Sequence, residues 1–217
     1  MKFRTVNFVL SSLLVIWLVA SCSPKAYFGL VKVNERNSQP AMPEVVPADY
    51  QKLVYRTSVH LFNNQITGLL LVKKMSDNSI RTVFTNELGM KFFDFEFRGK
   101  DFKVMYCFKQ FKHRIIINTL RNDLNLFVMS GYSMQKPVVL FDTLNRYNVL
   151  KFKYNRLNNY YYSDSLIHKM VKIEQWSAHR KKVWVKLADF DHNYPKTIKM
   201  VHMNFGLRMR FDLIENN

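Results

Sequence analysis

From Tyr55 onward, apolar and polar residues alternate with a period of two, the signature of strands with one buried face. Tyr55, Thr57, Val59 and Leu61 share one face, and Asn63-Asn64 follows as a two-residue turn. Ile66 to Lys74 continues as a strand, and Asp77-Asn78 makes the next turn. Ile80, Thr82 and Phe84 alternate with Arg81, Val83 and Thr85. Phe93, Phe95 and Phe97 lie opposite Phe92, Asp94 and Glu96; Gly99-Lys100-Asp101 then turns the chain. Phe102, Val104, Tyr106 and Phe108 oppose Lys103, Met105, Cys107 and Lys109. Short turns between such strands predict an antiparallel meander.

Between Phe111 and Val128 the period lengthens. Phe111, Ile115, Ile116, Leu120, Leu124, Phe127 and Val128 recur at three and four, which predicts an amphipathic helix ended by Gly131. Ile115-Ile116-Ile117 leaves a strand start open. Strand patterns resume over Val138–Phe141, Val149–Tyr154, Leu166–Trp176, Lys182–Leu187 and Ile198–His202. In the last strand Phe205, Leu207, Met209, Phe211 and Leu213 face away from Arg208, Arg210 and Asp212. The expected class is mainly β with helices (α+β): about ten antiparallel strands, curled into a half-barrel, with the helix covering the concave face. Such a face either fills a sandwich core or lines a cavity for an acyl chain. The candidate lining is Phe93, Phe95, Phe97, Val104, Tyr106, Leu120, Leu124, Leu207, Met209 and Phe211.

The N-terminal segment changes the setting. Lys2 and Arg4 precede an apolar run from Phe8 to Ala20, too short to span a bilayer and suited to a secretory signal. It ends in Leu18-Val19-Ala20-Ser21-Cys22, which resembles the lipobox of bacterial lipoproteins. The resemblance implies removal of residues 1–21 and lipidation of Cys22. Several acyl chains anchor firmly where one is reversible. Residues 22–47, Pro-rich and polar, are expected to form a tether, and 48–217 the domain; Pro47 is expected to open a short helix through Asp49, Leu53 and Val54.

Charge is read after the address. The chain of 217 residues carries a formal +17, which on its own suggests nucleic acid. A secreted, lipidated protein does not meet genomic nucleic acid. Losing Lys2 and Arg4 lowers +17 to +15, and that excess points instead to anionic lipid or an acidic protein face. Two basic clusters carry it: Arg98, Lys100, Lys103, Lys109, Lys112, Arg114 and Arg121, then Lys169, Lys172, Arg180, Lys181, Lys182 and Lys186. A generally solvated basic surface gives the same composition.

Other chemistry is sparse. With Cys22 lipidated, Cys107 is expected as a small buried hydrophobe. Six histidines show no metal-binding spacing, and Asp189-Phe190-Asp191-His192 reads as a turn before Asn193-Tyr194-Pro195. Tyr160-Tyr161-Tyr162 reads as an aromatic strand segment. Neither a nucleophile elbow nor a phosphate loop occurs, so no enzyme, cofactor or metal is expected.

Thr85-Asn86-Glu87-Leu88-Gly89, between two strands, resembles the Thr-Asn-Pro-Leu-Gly loop of LolB, the outer-membrane lipoprotein receptor family of the Lol pathway. The order of parts is similar too, through Tyr194-Pro195-Lys196-Thr197-Ile198-Lys199-Met200 to the final strand. The resemblance implies a LolA/LolB-type fold and a membrane-transfer loop at Leu88, flanked by Glu87 and Gly89. It also implies acylated lipoproteins as cargo, a soluble LolA-like periplasmic carrier as donor, and outer-membrane lipid as acceptor. Glu87 stands where the family has proline, and a carboxylate there opposes insertion beside anionic lipid. The expected place is the periplasmic face of the outer membrane, lipid-anchored. An envelope adaptor using the same fold is the competing expectation.

Overall fold

The structure, a computed structural model, describes residues 29–33, 44–47, 49–61, 63–204 and 206–216. The expected signal segment and Cys22 lie outside the described residues. The strands are β1 (Leu30–Lys32), β2 (Lys52–Leu61), β3 (Asn64–Lys74), β4 (Ile80–Thr85), β5 (Lys91–Arg98) and β6 (Asp101–Cys107). A single-turn 3-10 helix, Lys109–Phe111, leads to α1 (Arg114–Val128). The chain continues through a second 3-10 turn (Tyr132–Met134). Next come β7 (Val138–Asp142), β8 (Tyr147–Tyr154), β9 (Leu157–Asp164) and β10 (Met170–Trp176). β11 (Lys181–Asp191), β12 (Tyr194–His202) and β13 (Leu207–Asn216) complete the fold.

All thirteen strands join one antiparallel sheet in the order β1-β7-β8-β9-β10-β11-β12-β13-β2-β3-β4-β5-β6. The two crossovers are β1 onto β7 and β13 onto β2. The sheet is open, ending at β1 on one side and β6 on the other.

Four segments differ from the expected elements. Leu30–Lys32, placed in the tether, pairs with Leu140–Asp142 as an edge strand, so the fold begins upstream of residue 48. The helix expected after Pro47 is a strand: Leu53, Val54 and Tyr55 pair with β3 on one side and β13 on the other, and ladders on both sides override a weak helix start. Leu166–Lys169 is a turn held by the Asp164 carboxylate, which accepts from the Leu166 N–H at 2.8 Å; β10 starts only at Met170. The helix starts at Arg114, three residues past Phe111, which sits in the 3-10 turn.

The face carrying α1 holds the main core. Phe95, Leu126, Tyr132, Ile173, Val185 and Met200 are fully buried there. Phe93 and Phe95 stack at 4.6 Å, and Phe95 meets Phe102 edge-on at 5.2 Å. Tyr161 joins this core, while Tyr160 and Tyr162 point to the other face and form a small second cluster with Leu140 and Val149. The triple tyrosine is therefore a strand buried on both sides.

Gly68 is required by packing rather than by dihedral angle. A Cβ there would lie 2.0 Å from the Thr85 carbonyl oxygen on β4. The β4 backbone shifts register at Phe84/Thr85, and the missing side chain makes room for it. Gly68→Ala is expected to destabilise the fold by about 1–3 kcal/mol through this backbone clash. A lowered urea midpoint at unchanged slope is the check.

Candidate functional site: an apolar cavity and an exposed leucine turn

α1 lies against the sheet unevenly. Its C-terminal half is fastened at several points. Asn125 caps the end, its carbonyl accepting from Met129 N–H and its Oδ1 from Ser130 N–H, both at 3.0 Å. Ser130 Oγ donates to the Gly99 carbonyl at 2.8 Å, and Leu124, Leu126 and Phe127 are buried. Asp123 and His202 of β12 form a buried pair, Oδ2 to Nε2 at 2.9 Å. The N-terminal half lacks such fastening: the N-cap His113 makes no side-chain cap bond, no acid sits in the first turn, and Ile115 is 81% exposed.

A cavity of about 180 Å³ opens under this loosely seated half. Its sheet wall comes from β2, β3, β4, β5 and β13, its helix wall from Ile115 to Phe127. Of the expected lining residues, Phe93, Leu120, Leu124, Leu207, Met209 and Phe211 face it. Phe95 and Phe97 are in the core but not on its wall. Val104 and Tyr106 lie outside it. They sit on the edge strand β6, 39% and 43% exposed, where a bulge opposite Asp94/Phe95 breaks the alternation that the sequence pattern extrapolates. Most of the wall lies outside the expected set: Val59, Ile66, Leu70 and Phe84 on the strands, Ile116, Thr119 and Asp123 on the helix, and Phe111, which the helical reading grouped with α1 but which lines the cavity from the 3-10 turn.

Among the described residues, Asp123 is the one ionisable group on the cavity wall. Its Oδ1 has no hydrogen-bond partner among the described residues. Burial pushes this carboxyl above its ordinary pKa, against the downward pull of the His202 bond.

The turn at Leu88 stands at the same end of the sheet as the mouth, with the β2–β3 turn and the start of α1. Asn86 closes it from both sides: its N–H donates to the Met90 carbonyl at 2.9 Å and its Oδ1 accepts from Met90 N–H at 2.8 Å. Gly89 supplies the positive φ of +82° that the turn needs, and no atom lies within 4 Å of where its Cβ would be. Beyond the turn, Lys91 is held by Asp94 at 3.1 Å. Leu88, on this framed turn, is 94% exposed, and Glu87 beside it is exposed too. The turn is thus framed by Asn86, Met90 and Gly89, with no contribution from the residue at position 87.

The basic clusters divide. Lys109, Lys112 and Arg114 of the first cluster are exposed around the mouth, beside Lys91, which pairs with Asp94; Glu87 is the sole described acid in the adjoining turns. Arg98 instead pairs with Asp77, and Lys172 and Lys181 close on Glu174 at 3.4 and 2.8 Å. Burial raises the Glu174 pKa, but Lys181, Lys172 and the Trp176 N–H outweigh it and hold it below the usual value. Cys107 is half-buried rather than buried, and desolvation raises its thiol against Lys112, so the thiolate is disfavoured. Asp191 and His192 contact each other at 3.0 Å in the exposed β11–β12 turn. Among the described residues no group of three or more His, Cys, Asp or Glu could hold a metal.

No family model matches the chain, and no curated protein sequence matches it. Among solved structures it is similar to a LolA superfamily protein from Nitrosomonas europaea, at 12% identity and a TM-score of 0.54, over 79% of this chain and 87% of that one. A DUF1329 family protein from Desulfovibrio piger matches at 10% identity and a TM-score of 0.49, over 78% and 86% of the two chains. An outer membrane lipoprotein-sorting protein domain from Vibrio parahaemolyticus matches at 9% and 0.45, over 77% and 85%. At 12% identity the first likeness is one of fold. The chain has a LolA-like architecture, an open antiparallel sheet with a helix across one face.

The buried pair yields a pH test. A carboxyl whose folded pKa lies above its unfolded value favours folding at acid pH, and that contribution fades as pH rises above about 4. Asp123→Asn removes this term. Its unfolding free energy relative to wild type is expected to improve between about pH 4 and pH 7. Paired urea titrations at the two pH values measure the shift.

Proposed function

We propose that the protein is a lipid-anchored outer-membrane lipoprotein that shields acyl chains of other lipoproteins and delivers them into the outer membrane. The observation that carries this is the apolar cavity opening beside a framed, exposed leucine. A sheet of thirteen strands exceeds the roughly ten that stay open without curling, which supports a half-barrel wrapped around the ligand.

The cavity as it stands is small. An apolar void of about 150 Å³ admits a single aromatic ring, and sites for larger ligands run about 300–1,000 Å³. A long acyl chain enters only if α1 lifts. Its fastening points select the motion: the half from Leu124 onward stays docked while the half from Arg114 to Leu120 swings outward. Resting closure keeps water off the apolar walls; occupancy holds the helix open.

Release is the reverse step. Lys91, Lys109, Lys112 and Arg114 draw the mouth toward anionic headgroups or the acidic face of a soluble LolA-like carrier. Leu88 enters the lipid surface first, and the acyl chains follow down a gradient of apolar burial at about 0.8 kcal/mol per CH₂. No bond is made or broken, and no cofactor takes part. Cys22, acylated at the lipobox, keeps the domain at the periplasmic face of the acceptor membrane.

Depletion of the protein in its host, with lipoprotein sorting followed by membrane fractionation, tests the whole reading. Accumulation of acylated lipoproteins outside the outer membrane is expected; unchanged sorting overturns it. Two substitutions separate its parts. Thr119→Trp, on the helix wall, is expected to weaken binding of a fluorescent fatty acid at least tenfold, read by titration. Leu88→Glu is expected to leave that binding unchanged while slowing transfer from loaded protein to outer-membrane-lipid vesicles severalfold.

A further inference from the structure

We propose that β6 is a docking edge for the extended polypeptide that follows the acylated residue of a cargo lipoprotein, which adds to the sheet as an extra strand. The inference rests on the acyl-binding reading above and assigns a place to the protein part of the cargo.

The two edges of the sheet are not alike. β1 is three residues long, too short to template much pairing. β6 has seven residues, and among the described residues its outer backbone groups face no neighbouring strand. Its side chains are exposed on both faces: Val104 is 39%, Met105 49% and Tyr106 43% accessible in direct succession. A long apolar edge of this kind pairs unless something covers it. Lys103 and the bulge opposite Asp94/Phe95 blunt it only in part.

Position selects the occupant. The C-terminal end of β6 adjoins the cavity mouth. Cys107 pairs with Phe93, which lines the cavity, and the chain runs on from Phe108 to Phe111, which also lines it. A diacylated residue with its chains in the cavity therefore leads its own polypeptide out beside β6. That polypeptide leaves the mouth alongside the outer backbone groups of β6, which an extended segment pairs with. Strand addition reads backbone hydrogen bonds rather than side chains. It suits a receptor whose cargoes share an acyl group and differ in sequence.

Hydrogen exchange on the full chain in detergent tests this with two probes. One is a dipalmitoylated cysteinyl peptide of Ser, Asn and Thr; the other is dipalmitoylated cysteine amide without the peptide. The peptide probe is expected to slow exchange of residues 102–107 at least tenfold, and a scrambled peptide to do the same. The amide probe is expected to alter exchange in α1 and leave β6 unchanged. Altered exchange in α1 with both probes and no protection of β6 overturns the inference and leaves the acyl-binding reading standing. No response at α1 to either probe sinks the acyl-binding reading, and this inference with it. Protection of β6 without any probe, rising with protein concentration and accompanied by a doubled mass, assigns the edge to a second copy and overturns the inference.

Discussion

One helix of fifteen residues has to cover the apolar face of thirteen strands. The helix is about 22 Å long, while the strands laid side by side span about 60 Å. Most of the burial must therefore come from the sheet's own large side chains. The density of aromatics follows from this: Phe93, Phe95, Phe97 and Phe102 pack on one another, and Tyr132 fills the space against Phe152, Tyr154 and Tyr161. The helix covers β2–β5 and β13 around the cavity and also meets β12 at His202 and β9 at Tyr161, and it seats fully only along its C-terminal half. The cavity is where its coverage runs out.

Polar groups on the two faces meet opposite constraints. On the helix side Asp123 is buried with one histidine for company, and burial governs its proton affinity. On the other face Glu174 is nearly as enclosed, yet Lys172, Lys181, Trp176 and Tyr162 surround it. The first destabilises its charged form and the second stabilises it. Glu174 thus contributes stability that is lost on acidification, while Asp123 contributes stability only on acidification. A buried network of the Glu174 kind is costly to break at any one member. It consumes two lysines that a sequence reading counts as free surface charge.

The sequence pattern reveals strands whose alternation is clean and hides those that owe their existence to neighbours. β5 and β13 are legible because one face is wholly apolar. β1 is three residues of unremarkable composition, ordered by pairing with β7. In β9, Asn158-Asn159-Tyr160-Tyr161-Tyr162 shows no polar face because both faces are buried. Val104 and Tyr106 keep the same alternation as Phe102 on paper, but a bulge and an edge position take them out of the core. The pattern also cannot tell a wall from a filled core. Phe93 and Phe95 are two residues apart on one strand; only Phe93 faces the void, and the difference lies in where the helix rests.

The Leu88 turn has a longer-range consequence. Its shape is set by Asn86, Met90 and Gly89, while the two residues at its tip touch almost nothing. Framework and tip are therefore structurally separable. Substitutions at the tip can change its charge and apolarity without renegotiating the fold. A change of charge at position 87 is therefore carried by the tip alone, with the hydrogen bonds of the turn left intact.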